Sequence, residues 1–327
     1  MEIVLNTYGV ALAKDNGGFV ISGPDGKHHI PTEGITTIRV ANGASITSDA
    51  ILYAVDQEIE ILFIDKSGFP KGRIWSPKYG SISTIRKGQV AFTSSSDAVS
   101  WIRDVLVSKV ENQQAMIQIM AQDNEQQKMT SAAGHISRLE HYRTKIAAIN
   151  GDNVKEVASE LRGLEGAASR IYFRAYSSFL PETARFDERS QHPAKDPANA
   201  LLNYGYGVLY GKIEGAMICA GIDPYIGVLH RNEYNRPVLV YDVIELYRVW
   251  VEYVVFRILQ SGVLEEDFCS FQEDGAVRLE GLGRKVIIQS LNDYMEEIID
   301  DGRKSRSRAT MIDLQAQELA QYFKKYL

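Results

Sequence analysis

The chain has 327 residues, 45% hydrophobic and 24% charged, an ordinary globular composition that excludes wholesale disorder and is long enough for two domains. Its two cysteines, Cys219 and Cys269, exclude a disulfide scaffold and a cysteine-built zinc site, and they point to a reducing, cytoplasmic setting. The formal net charge of −6 argues against a generally basic nucleic-acid coat protein. That deficit is not uniform: residues 1–90 hold nine acidic and nine basic groups, so the excess of carboxylates lies wholly in the rest.

The first ninety residues read as β structure. Glu2 to Leu5 opens a strand, and Gly17 to Ser22 runs into Gly23-Pro24-Asp25-Gly26, a turn from which Lys27 to Pro31 returns as the paired strand. Thr36 to Val40 and Glu58 to Asp65 add further strands, and Ser48 or Asp49 is placed to cap a short helix over Ala50 to Val55. These predict a β-sandwich or barrel of about 80 residues, too small to bury both faces of a sheet alone. Residues 1–85, with Ile61, Phe63 and Ile64 close together, are therefore expected to pair two copies of the chain.

Beyond Pro77 the apolar residues recur three and four apart, the spacing of helices. Ser94 to Asp97 caps a helix reaching toward Met120, Gly151-Asp152 opens another, and Pro193 and Pro197 punctuate a loop before a helix from about Ala198 to Ala220. Gly275 and Gly281 to Gly283 mark breaks before two short closing helices. The fold class predicted is α+β, an N-terminal β-sandwich domain (1–85) followed by a larger all-α C-terminal domain (86–327). The most apolar stretch, Val238 to Leu259, is interrupted by Asp242, Glu245, Arg248, Glu252 and Arg257, so it predicts a buried helix and not a membrane span.

That helix carries the first chemical signal. Asp242, Glu245, Arg248 and Glu252 share one narrow face of an otherwise apolar helix. Buried carboxylates there must be paired, protonated or bound to a cation, and an ion pair through Arg248 is the plainest solution. His230 lies twelve residues before Asp242, with Pro237 in a loop long enough to bring the imidazole back over the helix start. One imidazole with carboxylates suits a hard or borderline divalent ion such as Mn²⁺ or Mg²⁺. Glu165, beside the apolar stripe of Leu161, Leu164 and Ala168, is flanked by Gly163 and Gly166, glycines expected where another backbone or a ligand comes close. Its simplest partners are Arg162 or Arg170.

Three blocks, LRGLEGAASRIYF, KDPANALLNYGYGVLYGKIEGAMICAGIDPYIGVLH and RPVLVYDVIEL, together resemble the CRISPR-associated endonuclease and integrase family of spacer acquisition, the first protein in the Cas numbering. The resemblance implies a metal-dependent DNA endonuclease and integrase of antiviral defence that inserts short foreign segments into a CRISPR array. It puts the family's metal ligands on Glu165, His230 and Glu245, with Asp242 as a further catalytic acid. It also implies double-stranded DNA as substrate, a homodimer, and a small ferredoxin-like companion protein bridging two dimers. The family's usual Phe-Arg-Pro segment after the last acid is replaced here by Leu246 to Trp250, which leaves the helix unbroken.

A DNA substrate requires local basic patches in an acidic chain. Arg162, Arg170 and Arg174 flank Glu165, Lys195 lies in the loop before Asn199, and Arg303, Lys304, Arg306 and Arg308 form a run near the end. The alternatives from other classes are a metal-dependent hydrolase of small molecules and a non-catalytic helical scaffold whose acidic stripe is merely ion-paired.

Overall fold

The computed structural model describes residues 2–65, 68–74, 81–122, 126–230, 236–262, 268–300 and 304–327, without the side chains of 126–130. The N-terminal strands are β1 (Glu2–Leu5), β2 (Ala11–Asp15), β3 (Gly18–Gly23), β4 (Gly26–Pro31), β5 (Thr37–Ala41), β6 (Ser45–Ile46), β7 (Glu60–Ile64) and β8 (Pro70–Ile74), with helix α1 (Ser48–Asp56) after β6. They form two four-stranded sheets, β1-β5-β7-β8 and β4-β3-β2-β6. The expected hairpin is present: β3 and β4 pair antiparallel out to Gly23 and Gly26, and Gly26 has a φ of +111° that few other residues accept. α1 begins two residues before expectation, because the hydroxyl of Thr47, and not of Ser48 or Asp49, accepts from the Ala50 N–H at 3.3 Å.

Alternation sets the faces. Ile3 and Leu5 of β1, Ile38 and Val40 of β5 and Ile61 of β7 share one core with Leu12 and Phe19 of the second sheet. The chain then continues as α2 (Ile82–Phe92), α3 (Ser96–Gln122), α4 (Gln126–Ala147), α5 (Val154–Phe179), α6 (Pro197–Cys219), α7 (Val238–Val243) and α8 (Arg248–Gln260). After these come the short strands β9 (Cys269–Phe271) and β10 (Val277–Leu279), helix α9 (Gly281–Glu296), strands β11 (Ile298–Asp300) and β12 (Ser305–Ser307), and helix α10 (Arg308–Phe323). The fold is α+β, with β strands first and a larger helical part after them. Gly281 and Gly283 open α9 and do not break it, and the two closing helices run 16 residues each.

The second face of the first sheet is covered from within the chain. Ala41, Leu62 and Ile64 pack against Ile218 of α6 in the same chain. Gly211 of α6 lies so close that an added Cβ would stand 2.8 Å from the carbonyl oxygen of Gly68.

The helix expected to run unbroken from Val238 to Leu259 is broken. α7 ends in a 3₁₀ turn over Ile244–Leu246, and Tyr247 at φ −118° and ψ −6° separates that turn from α8. Asn112 on α3 donates its amide to the Leu246 carbonyl at 3.1 Å, satisfying an acceptor that the tightened turn releases. The break re-aims the polar stripe, so its four members no longer serve one face. Among the described residues, no helix is long and apolar enough to cross a membrane.

Candidate active site

Asp242 is wholly buried, and its partners explain why a carboxylate is tolerated there. Its Oδ2 accepts from the backbone N–H of Val228 at 2.7 Å and of Leu229 at 3.1 Å, and its Oδ1 accepts from the His230 N–H at 3.3 Å. The same Oδ1 lies 2.8 Å from His230 Nδ1. This single side chain folds the segment Val228 to His230 back over α7. Gly227 is required at the entrance, because a Cβ there would come within 2.4 Å of the His230 carbonyl oxygen. With Nδ1 donating to Asp242, the His230 Nε2 carries the lone pair. Burial lowers the imidazole pKa, but the Asp242 hydrogen bond and the charges of Asp242, Glu245 and Glu165 outweigh it and raise the value.

Glu165 projects from the middle of α5, and Glu245 from the 3₁₀ turn between α7 and α8. Neither pairs with the arginines nearest in sequence to Glu165. Lys109 of α3, only 7% exposed at its side chain, donates to Glu165 Oε1 and meets Glu245 Oε2 at 2.5 Å, a charge contact outside hydrogen-bond alignment. Ser169 Oγ also donates to Glu165 Oε1, at 2.8 Å. The expected ion pair through Arg248 exists, with Nε donating to Glu245 Oε1 at 2.9 Å. Burial would raise the Glu245 pKa, yet Arg248 and Lys109 together hold it down to about 2. Lys109 is shifted up by the two carboxylates in spite of its burial.

Glu252 faces elsewhere. It is fully buried and accepts from the hydroxyls of Tyr172 at 2.5 Å and Tyr206 at 2.6 Å, while its carbonyl accepts from Tyr176 at 2.8 Å. Burial raises its pKa, opposed by those two hydroxyls and by Arg248. The Arg248 guanidinium lies over the Tyr206 ring, 4.7 Å from its centroid, and so links this network to Glu245.

Glu165, His230 and Glu245 line one cleft of about 460 Å³, with Lys109, Gln113, Arg170, Arg174, Arg189 and Arg248 among the other walls. Among the described residues, however, no three His, Cys, Asp or Glu side chains form a group ready to hold a metal ion. The Lys109 ammonium stands between the two glutamates.

The basic residues divide. Arg170 and Arg174 are exposed on the cleft side of α5. Arg162 is exposed and reaches the Leu229 carbonyl at 3.4 Å. Lys195 is exposed but lies outside the cleft lining. Arg303 lies outside the described residues; Lys304 is exposed, and Arg306 sits half-buried in β12 opposite Ile299. Arg308 departs from expectation: it donates to the Tyr294 carbonyl at 2.8 Å and to Glu297 at 2.5 Å, and stacks 3.7 Å from the Tyr294 ring centroid. Its charge is spent within the fold. The glycines beside Glu165 also differ from expectation, since a Cβ on Gly163 would meet nothing within 4 Å and one on Gly166 only Arg170, at 3.9 Å.

Lys109, Gln113, Arg189 and Tyr206 escaped sequence reasoning. A signal existed for the first two: Lys109 and Gln113 interrupt the buried stripe Ile102, Leu106, Ile117, Met120 on α3.

The sequence matches the family model of CRISPR associated protein Cas1 over residues 3–293. It is 26% identical to the CRISPR-associated endonuclease Cas1 1 of Archaeoglobus fulgidus over 336 residues, covering 99% of this chain and 96% of that relative. A chain of the partial Cas6-RT-Cas1–Cas2 complex shares the fold at a TM-score of 0.78 and 23% identity, covering 99% of this chain and 96% of the other. A casposase bound to integration product does so at a TM-score of 0.71 and 19% identity, covering 99% and 96%. The match runs from the first strand through the helices that wall the cleft, and the chain belongs to the Cas1 family of CRISPR-associated proteins.

Proposed function

We propose that this chain is a metal-dependent DNA endonuclease and integrase that inserts short foreign DNA segments into a CRISPR array in antiviral defence. The observation that carries the reading is that Glu165, His230 and Glu245, from three separate segments, line one cleft with several arginines. A relative named as an endonuclease and a casposase with the same fold support it.

The donor set suits Mn²⁺ or Mg²⁺: two carboxylates supply oxygen and one imidazole supplies nitrogen. Glu245 Oε2 is buried and accepts no aligned hydrogen bond; it faces the Lys109 ammonium, so a cation is what this oxygen is placed to meet. Glu165, Glu245 and His230 Nε2 would hold the ion, and Asp242 fixes the imidazole in the tautomer that makes Nε2 a ligand. Bound there, a divalent ion would stabilise the charge that develops on a scissile phosphate. Arg248 keeps Glu245 ionised and oriented. Arg170 and Arg174 seat the DNA backbone beside the carboxylates, with Arg162, Lys195, Lys304 and Arg306 as outlying phosphate contacts. In strand transfer a DNA 3′-hydroxyl attacks the phosphodiester; a new P–O bond forms as the old 3′-oxygen leaves. In hydrolysis water takes the place of the hydroxyl.

The partners that go with this activity are double-stranded DNA, a second copy of the chain and a small ferredoxin-like companion. The Cas1–Cas2 complex among the structures of like fold supports a protein partner. The test is strand transfer by purified protein and its companion, from a short duplex into a supercoiled CRISPR-array plasmid. Replacing His230 with alanine should lower strand transfer about 100-fold or more while leaving duplex affinity nearly unchanged. Loss of duplex affinity with the circular dichroism spectrum intact would make His230 a DNA contact and remove the metal assignment.

A further inference from the structure

Lys109 is in an unusual place for a lysine. Its side chain is 7% exposed, on the buried stripe of α3, and its ammonium joins two carboxylates contributed by α5 and by the turn before α8. Neutralising Glu245 does not require it, because Arg248 already pairs with that carboxylate. With Lys109 and Arg248 against Glu165 and Glu245, the four charges balance. A dication added to that set would bring its sum to two positive charges in a cleft where Glu245 is 8% exposed, a costly arrangement.

A second observation lies one turn along the same helix. Gln113, four residues on and therefore on the same face, is 2% exposed and lines the same cleft. Its Oε1 is buried with no hydrogen-bond partner among the described residues. A buried acceptor without a donor is uncommon, and this one belongs to a residue one helical turn from Lys109 on the same cleft.

We infer that Lys109 is an internal cation that holds the seat between Glu165 and Glu245 until a divalent ion displaces it, and that Gln113 Oε1 receives the displaced ammonium. The inference rests on the metal site proposed above and adds its regulation: the site is stable without metal because it carries its own counter-ion. Metal affinity is correspondingly reduced, since the ion binds only molecules whose carboxylates have been released. Lys109 acts here as a positioning residue, through the glutamates.

The test is calorimetric titration of Mn²⁺ into the full chain without DNA, for the wild type, Lys109→Met and Gln113→Leu. Lys109→Met should bind Mn²⁺ about tenfold more tightly or better, because the competing ammonium is gone. Its melting temperature should be lower than wild type in chelator and rise further when Mn²⁺ is added. Gln113→Leu should bind Mn²⁺ severalfold more weakly, having no acceptor for the displaced amine. Should Lys109→Met fail to fold, Lys109→Gln keeps an N–H donor for the carboxylates without the charge and carries the same comparison. Wild-type binding with equal or weaker affinity in the lysine variant overturns the inference alone. Absence of Mn²⁺ binding in the wild type and in the variants overturns the metal site together with it.

Discussion

Glu245 and Glu252 stand seven residues apart on one stretch of chain, both buried, and the protein holds them in opposite ways. Glu245 sits between two cations, Arg248 and Lys109, and its pKa is held down to about 2. Glu252 has three tyrosines around it, two donating to its carboxylate, and burial raises its pKa. Burial alone therefore does not mark a functional acid. Glu245 is kept ionised by two cations at a cleft, whereas Glu252 is saturated by phenols that join three helices.

The comparison breaks most visibly in folding stability. Glu252→Ala leaves the Tyr172 and Tyr206 hydroxyls without acceptors in the core and should destabilise the chain by about 3–5 kcal/mol in urea titration. A loss below about 1 kcal/mol would show that the tyrosines find other partners.

A smaller effect separates the two acids by pH. Folding lowers Glu245 from 4.5 to about 2, so between those values the folded chain binds fewer protons than the unfolded one. Stability from Glu245 is thus present above the unfolded value and lost as pH falls through about 2. Glu252, raised by folding, works in the other direction and costs stability as pH climbs above its unfolded value. The stability gap between wild type and Glu245→Gln should widen by about 3 kcal/mol as pH rises across the acid range. A gap that stays constant with pH would mean that Glu245 is not held by its cations.

Much of this was legible in the sequence, for physical reasons that can be named. The Gly23 to Gly26 hairpin was readable because its turn residues have few other uses. The pairing of Glu245 with Arg248 followed from helical spacing, and the Asp242–His230 contact from a loop of suitable length. Lys109 was not legible, since a single lysine in a helix ordinarily snorkels to water, and only the packing of α3 against α5 buries this one. The break at Tyr247 has no glycine or proline to announce it, and the carbonyl it releases is satisfied by Asn112 from a distant helix. Arg308 reads as part of a basic run, but its side chain turns back onto Tyr294 and Glu297.

The central claim is that the cleft of Glu165, His230 and Glu245 holds a divalent cation and that Glu252 does not take part. Mn²⁺ binding by calorimetry to the wild type, Glu245→Gln and Glu252→Gln tests it most directly. The account predicts one tight site per chain in the wild type, retained in Glu252→Gln and lost in Glu245→Gln. Undiminished binding by Glu245→Gln, or loss confined to Glu252→Gln, would contradict it.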